Sequence, residues 1–388
     1  VSPAGLDRPE NPTAVEGYRP DTPADRARVK DRAMRWLRTY STRGGAAGCM
    51  VEPREATIKI TIDGESGRGH VSGVKRCASP WACPACSFKV RHRRAEEIGR
   101  LVDHAVVEGG SAFLVTATVP HRADDALSGV LGQLNDAWRA LWGGKAAQAW
   151  REMYGYQGAV RAVEVTWGHR SGWHPHVHAV LIFDRPLAEV EHVEAWSNLM
   201  VRWSKIVTRI TGRTVSPIHA LDMRPITDPN EVAEYVTDAG SWSIGNEIAA
   251  GPVKLGRSGG RWSPFALLGA AVEWGDLDAG RLWSEYETAT AGKRAIVATR
   301  GLYNRYGIVQ AADEEAAEGP EAHAPVAVVE VDPLHWLALG TIDAQRHYVE
   351  AVEHWAATGL NGPPPTPADV IRIRCSPGCS PSVRNRSD

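Results

Sequence analysis

The segment Gly172-Trp173-His174-Pro175-His176-Val177-His178-Ala179-Val180-Leu181-Ile182-Phe183 constrains this chain more than any other stretch. Its second half is a continuous apolar run, so the segment reads as a strand anchored in a core. Successive side chains on a strand point to opposite faces, so His176 and His178 share one face while Val177 takes the other. Two imidazoles held rigidly at that spacing can bind one metal ion. Pro175 cannot donate to a sheet ladder, which puts His174 at the strand's entrance as a further candidate ligand.

The run Val160-Arg161-Ala162-Val163-Glu164-Val165-Thr166-Trp167 comes just before it, separated by the polar turn 168–172, and the two read as a β-hairpin. Glu164 stands alone as an acid among apolar neighbours and becomes the third ligand if it shares the histidines' face. Two neutral imidazoles and a carboxylate leave coordination positions open for a substrate oxygen. The same residues also admit a zinc hydrolase, or an exposed His-rich strand that binds nothing.

A second segment bears on the chemistry. Asn230-Glu231-Val232-Ala233-Glu234-Tyr235-Val236-Thr237-Asp238 reads as a helix capped by Asn230, with Glu231 and Tyr235 four apart on one face. A tyrosine hydroxyl, with a pKa near about 10, becomes a useful nucleophile only beside a metal-polarised phosphate or a base. Tyr235 alone would read as a packed aromatic; its claim depends on the histidine strand.

Together these segments resemble the HUH endonucleases, in particular the single-tyrosine initiators of rolling-circle plasmid replication of actinobacterial type. The first family motif looks like Phe113-Leu114-Val115-Thr116-Ala117-Thr118-Val119-Pro120-His121, the second like His176-Val177-His178, and the third like Glu231 through Tyr235. The stretches 254–268 and 283–290 and Arg300-Gly301-Leu302 look like actinobacterial members of the group. The family usually carries a lysine three residues after the tyrosine, where this chain has Asp238, and Lys254, Arg257 and Arg261 are candidates for the missing cation and for DNA contacts.

The resemblance implies a mechanism. Tyr235 would attack a phosphodiester in single-stranded DNA of the plasmid origin. Mg²⁺ or Mn²⁺ held by His176, His178 and Glu164 would polarise the phosphate. A 5′-phosphotyrosyl link would form, and the free 3′-OH would prime host polymerase, with a host helicase as a further partner. Glu231 would activate water at termination. It also implies the fold: α+β, an HUH antiparallel sheet flanked by helices, with the histidine strand central and the tyrosine helix alongside. Other readings are a DNA-binding replication regulator with an inactive nickase domain, and a transposase or relaxase of the same superfamily. Relaxases usually carry the tyrosine near the N-terminus.

Cys77-x5-Cys83-Pro84-Ala85-Cys86 contains a C-P-x-C knuckle, a common turn for presenting thiolates to zinc. Cys49 is the candidate fourth ligand, supported by the upstream cysteine of related initiators, and His70 is the fallback. Cys375 and Cys379 lie in the tail and are expected to stay free. The helix expected from Ser87 opens with Lys89, Arg91, Arg93 and Arg94, which could bind phosphates or form a solvated face balanced by Glu96 and Glu97.

The formal net charge of −2 does not mark a nucleic-acid binder, so any basicity must be local. No N-terminal apolar run follows a basic start, and no stretch approaches the roughly 18 apolar residues of a membrane span. A cytoplasmic protein is expected, without membrane contact and with reduced cysteines. The expected organisation is a disordered lead-in at 1–27, a Cys-rich zinc and DNA-contact module at 28–108, and the nickase domain at 109–305. An acidic linker at 306–332, a helical extension at 333–361 and a disordered tail at 362–388 would follow.

Overall fold

The computed structural model describes residues 23–41, 44–215, 220–226, 261–318, 324–342 and 344–374. Contacts divide the chain into two compact units, residues 1–33 with 98–306 and residues 34–97 with 307–388. The strands among the described residues are β1 (Ile58–Ile62), β2 (Gly69–Ser72), β3 (Ser111–Thr118), β4 (Tyr156–Gly168), β5 (Gly172–Phe183), β6 (Leu221–Pro225), β7 (Arg261–Trp262), β8 (Ile296–Ala298) and β9 (Ala327–Val331).

The larger unit is an antiparallel sheet of order β6-β3-β5-β4-β7, with β8 also paired to β4. The histidine strand β5 is central, and its class is α+β, as expected. β4 and β5 form one long hairpin from Tyr156 opposite Phe183 to Gly168 opposite Gly172. Gly172 holds φ 68°, and an added Cβ would lie 2.5 Å from the Ala123 carbonyl oxygen, so the turn requires glycine there. Pro175 sits inside β5 rather than ahead of it. The ladder to β3 ends at Thr118 opposite His176, so a missing N–H at 175 breaks no bond on that side.

Alternation sends Trp173, Val177, Ala179 and Leu181 to one face, where all are buried. Helices cover it. Leu127–Leu141 buries Leu127, Val130, Leu131, Leu134, Ala137, Trp138 and Leu141, the spacing of one helical stripe. Its first N–H groups have no side-chain cap from Ala126; Glu285 of the helix Leu277–Thr290 accepts from Leu127 N–H at 2.8 Å. In the helix Glu189–Thr211, Trp203 donates from Nε1 to the Thr118 carbonyl at 2.9 Å. Its buried stripe runs Ala195, Leu199, Met200, Trp203, Val207, while Val193 is exposed.

The smaller unit contains the sheet β2-β1-β9. Ile58, Ile60 and Ile62 of β1 and Val329 and Val331 of β9 form one core with Trp336, Tyr348, Val349 and Val352 from the helices Pro333–Thr341 and Gln345–Ala357. The acidic stretch read as a linker therefore holds a short helix, Asp313–Glu318, and the strand β9, which pairs with β1 across more than 260 residues of sequence (Ile58 with Val331). The tail likewise contains a helix, Pro367–Arg374, with Val370 buried in the same core, and the lead-in gives way at Pro23 to the helix Pro23–Tyr40. Burial of a pairing partner, not local composition, orders these segments.

A buried ionic knot fastens this unit. Glu97 is fully buried; its carboxylate accepts from Arg94 at 2.7 Å and from the Ala311 N–H at 3.0 Å, while Arg94 also pairs with Asp313. Removing one partner of a buried pair strands the other charge, so Glu97→Ala should cost about 3–5 kcal/mol in chemical denaturation. A loss under about 1 kcal/mol would show that the knot adds little to the fold.

Candidate metal centres

The three candidate ligands meet because of register. Glu164 of β4 lies directly opposite His176 of β5, and His178 is one same-face step further on. Both imidazoles turn Nε2 to the same carboxylate oxygen, Glu164 Oε2, at 2.9 Å from His176 and 3.1 Å from His178. Cis ligands around an octahedral ion at about 2.1 Å stand about 3.0 Å apart, which is close to both of these nitrogen–oxygen separations. The His176 and His178 side chains are 12% and 13% exposed and Glu164 is 29% exposed, so the group is sheltered but reachable. Burial works to raise the Glu164 carboxyl, but the hydrogen bonds with His176 and His178 prevail and hold it well below the ordinary carboxylate range.

Thr116 of β3, opposite His178, sits with Oγ1 3.2 Å from His178 Nδ1. With Nδ1 occupied there, Nε2 is left free to face an ion held by this group, the usual orienting role of a second contact on a metal-binding imidazole. Thr116→Val keeps a good strand former and removes that contact. Mn²⁺ affinity, read by calorimetry, should fall about tenfold or more; an unchanged affinity would deny Thr116 the role.

His174 does not join this group. Its Nδ1 is 2.7 Å from Nε2 of His121, a residue just past β3 for which sequence reading gave no role beyond the end of a motif. Burial, the His176 charge and Arg261 push His174 down to about 3, and burial also lowers His121. Strand alternation keeps His174 on the histidine face, but its Nδ1 is taken up by His121.

Cys49, Cys77, Cys83 and Cys86 converge in the smaller unit with their sulfurs within 4.8 Å of one another, and all four are free. Cys49 Sγ is 3.5 Å from Cys86 Sγ and 3.6 Å from Cys83 Sγ. A tetrahedral thiolate site with about 2.3 Å metal–sulfur bonds has edges of about 3.8 Å, close to these separations. Hydrogen bonds with the other three thiols and burial push the Cys83 thiol up. His70 lies on β2 outside this cluster. The knuckle leads directly into the helix Ser87–Val107, whose Ser87 N–H donates to the Cys83 carbonyl at 2.9 Å.

The helix's cations are not equally available. Arg91 is buried, donates from Nε to the Pro80 carbonyl at 3.0 Å and lies over the Trp81 ring. Arg94 is buried in the knot with Glu97 and Asp313. Both were read as phosphate contacts and are instead engaged inside the fold. Lys89 donates to the Glu318 carbonyl at 2.6 Å, and the half-exposed Arg93 pairs with Glu96 at 3.4 Å. Arg261 is exposed on β7, on the histidine face. Glu231, Tyr235, Asp238, Lys254, Arg257, Cys375 and Cys379 lie outside the described residues.

With this geometry in view, comparison with known proteins assigns the class. The family described as "Replication protein" matches residues 68–319, and the chain belongs to that family. It is 31% identical over 358 residues to "Protein rep" of Streptomyces lividans, covering 74% of this chain and 77% of that one. It is also 33% identical over 141 residues to "Neomycin resistance protein" of Streptomyces cyanogenus, covering 30% of this chain and 32% of that one. No solved structure matches the chain significantly. No helix among the described residues is long and apolar enough to cross a membrane.

Proposed function

We propose that this replication protein starts rolling-circle copying of a plasmid by nicking one strand of the origin, on an HUH-type fold, in the cytoplasm. The observation that carries the reading is the convergence of Glu164, His176 and His178 on a central antiparallel strand, in a chain of the replication-protein family. Three ligands leave open positions, as a substrate phosphate requires. A divalent ion bound there, Mg²⁺ or Mn²⁺, supplies positive charge against the scissile phosphate.

The Tyr235 hydroxyl oxygen attacks phosphorus, and the bond from phosphorus to the 3′ oxygen breaks. The 3′ oxygen takes a proton and departs as a free 3′-OH, and the 5′ side stays joined to Tyr235. Host polymerase and helicase extend from that end. At termination Glu231 takes the proton from a water molecule whose oxygen attacks the phosphorus of a phosphodiester, and the bond to the 3′ oxygen breaks, releasing a free 3′-OH and a 5′-phosphate. The cysteine set holds structural Zn²⁺, and Lys89, Arg93, Lys254 and Arg257 contribute to DNA contact.

The test is to incubate the protein with supercoiled plasmid bearing its origin, in Mn²⁺ or Mg²⁺ against a chelator control, and to resolve products on a denaturing gel. Nicked circles with protein on the 5′ end, formed only with metal, support the reading. Origin binding without nicking in either metal would overturn it in favour of a DNA-binding regulator.

A further inference from the structure

The histidine face of the sheet continues past the three ligands toward the hairpin turn. His174 lies opposite Thr166, and both Gly172 and Arg261 lie opposite Gly168. By alternation these positions share the face of Glu164, His176 and His178, with His174 one same-face step, about 7 Å, beyond His176. His121 closes the row from the β3 side, 2.7 Å from His174. Its loop is pinned: the Arg122 N–H donates to Asp125 Oδ2 at 2.7 Å, and Arg213 binds Asp125 Oδ1 at 3.0 Å and the Pro120 carbonyl at 3.4 Å.

Two imidazoles and a guanidinium thus line one patch. Arg261 is exposed, no carboxylate among the described residues pairs with it, and its charge acts on both His121 and His174. Glu164 is already committed to His176 and His178. Packing alone would not select such a set: an arginine with no acid partner among the described residues and a pair of rings sharing one hydrogen bond contribute little to a core. A bound anion would complete it, because a guanidinium donates in a fork that matches phosphate oxygens.

We propose that His121, His174 and Arg261 form a phosphate-binding subsite for single-stranded DNA, holding the backbone at a phosphate beside the one that faces the metal ligands. This rests on the nicking reading for its substrate and adds to it the contact that fixes which phosphodiester is presented.

The experiment measures binding of a short 5′-labelled oligothymidylate to the full-length protein by fluorescence anisotropy, with Mn²⁺, over a range of salt. Manganese affinity is measured separately. Arg261→Ala should weaken DNA binding about tenfold and flatten the salt dependence by about 0.7 log units per log unit of salt, the signature of one lost contact to a single strand. Arg261→Lys should recover most of the slope, and His121→Gln should weaken binding in the same direction. Manganese affinity should stay at the wild-type value in all three. Unchanged affinity and slope in Arg261→Ala, an exposed position where misfolding is not an issue, would overturn the subsite. Loss of Mn²⁺ affinity in His121→Gln would overturn it too, making the His121–His174 pair part of the metal shell. Covalent adduct formation is scored separately, with a 3′-labelled single strand spanning the origin's nick site: absent adduct with the binding losses intact removes the nicking reading alone, and full adduct with unchanged binding removes the subsite alone.

Discussion

Tyr235→Phe should lower nicking and covalent attachment to DNA by at least about 1,000-fold, as removal of a nucleophile does, while leaving manganese affinity unchanged. Phenylalanine keeps the ring and deletes the hydroxyl that the proposed attack on phosphorus requires. His176→Ala should produce the complementary pattern, losing manganese and nicking together, because the second imidazole and Glu164 remain as an incomplete set. The chain has nine tyrosines, but few can substitute. Tyr154, Tyr286, Tyr303, Tyr306 and Tyr348 are buried, and Tyr156 stacks on Trp142 with ring centroids 4.8 Å apart. Burial also raises Tyr348 to about 12 and pushes Tyr156 higher still, which makes their phenolates harder to form. Among the described residues only Tyr40 is exposed, so Tyr40→Phe is the informative control and should nick normally. Adduct that survives Tyr235→Phe and disappears in Tyr40→Phe would move the nucleophile and remove the third motif from the mechanism.

What sequence could show, and what it could not, divides along the range of the interactions. The pair His176 and His178 follows from the two-residue period of a strand, and Glu164 from the shortness of the hairpin that brings β4 back along β5. A local pattern fixed that geometry. The His121–His174 contact spans 53 residues and depends on where β3 stops relative to β5, which no local period encodes. Arg94 was misjudged for a related reason. A basic run at a helix start looks solvated until Asp313, 219 residues away, and buried Glu97 turn it inward. The strand β9 hides in an Ala- and Glu-rich context because only five residues pair, and their partner β1 lies near the other end of the chain. Cys77, Cys83 and Cys86 were legible from the C-P-x-C knuckle, a common turn for presenting thiolates to zinc, whereas Cys49, 28 residues before Cys77, was reached through the upstream cysteine of the initiators the chain resembles.

Cys83→Ser should empty the cysteine site of zinc and unfold the unit built from residues 34–97 and 307–388. Cys83 and its neighbours Cys49 and Cys86 are fully buried, so a metal ion held there would be the internal tie of a segment otherwise linked by turns. Structural zinc sites in small domains contribute apparent binding energies of about 10–16 kcal/mol, more than the stability of most domains. A serine hydroxyl is a poor zinc ligand, and the three remaining thiolates would be left close together at a buried site with no cation to offset their repulsion. Zinc released by the unfolded protein, measured with a colorimetric chelator, should be one equivalent in the wild type and near zero in Cys83→Ser. Hydrogen exchange locates the damage: protection should vanish in β1 and β9, whose core lies in that unit, and persist in β3, β4 and β5. Replacing Cys375 and Cys379 together by serine should change neither readout. If the wild type carries no zinc and Cys83→Ser melts within about 1 °C of it, the four thiols are simply buried side chains. If zinc is lost but β1 and β9 stay protected, the three-stranded core of Ile58, Ile60, Val329 and Trp336 stands without the metal, and the site orders only the knuckle and the start of its helix.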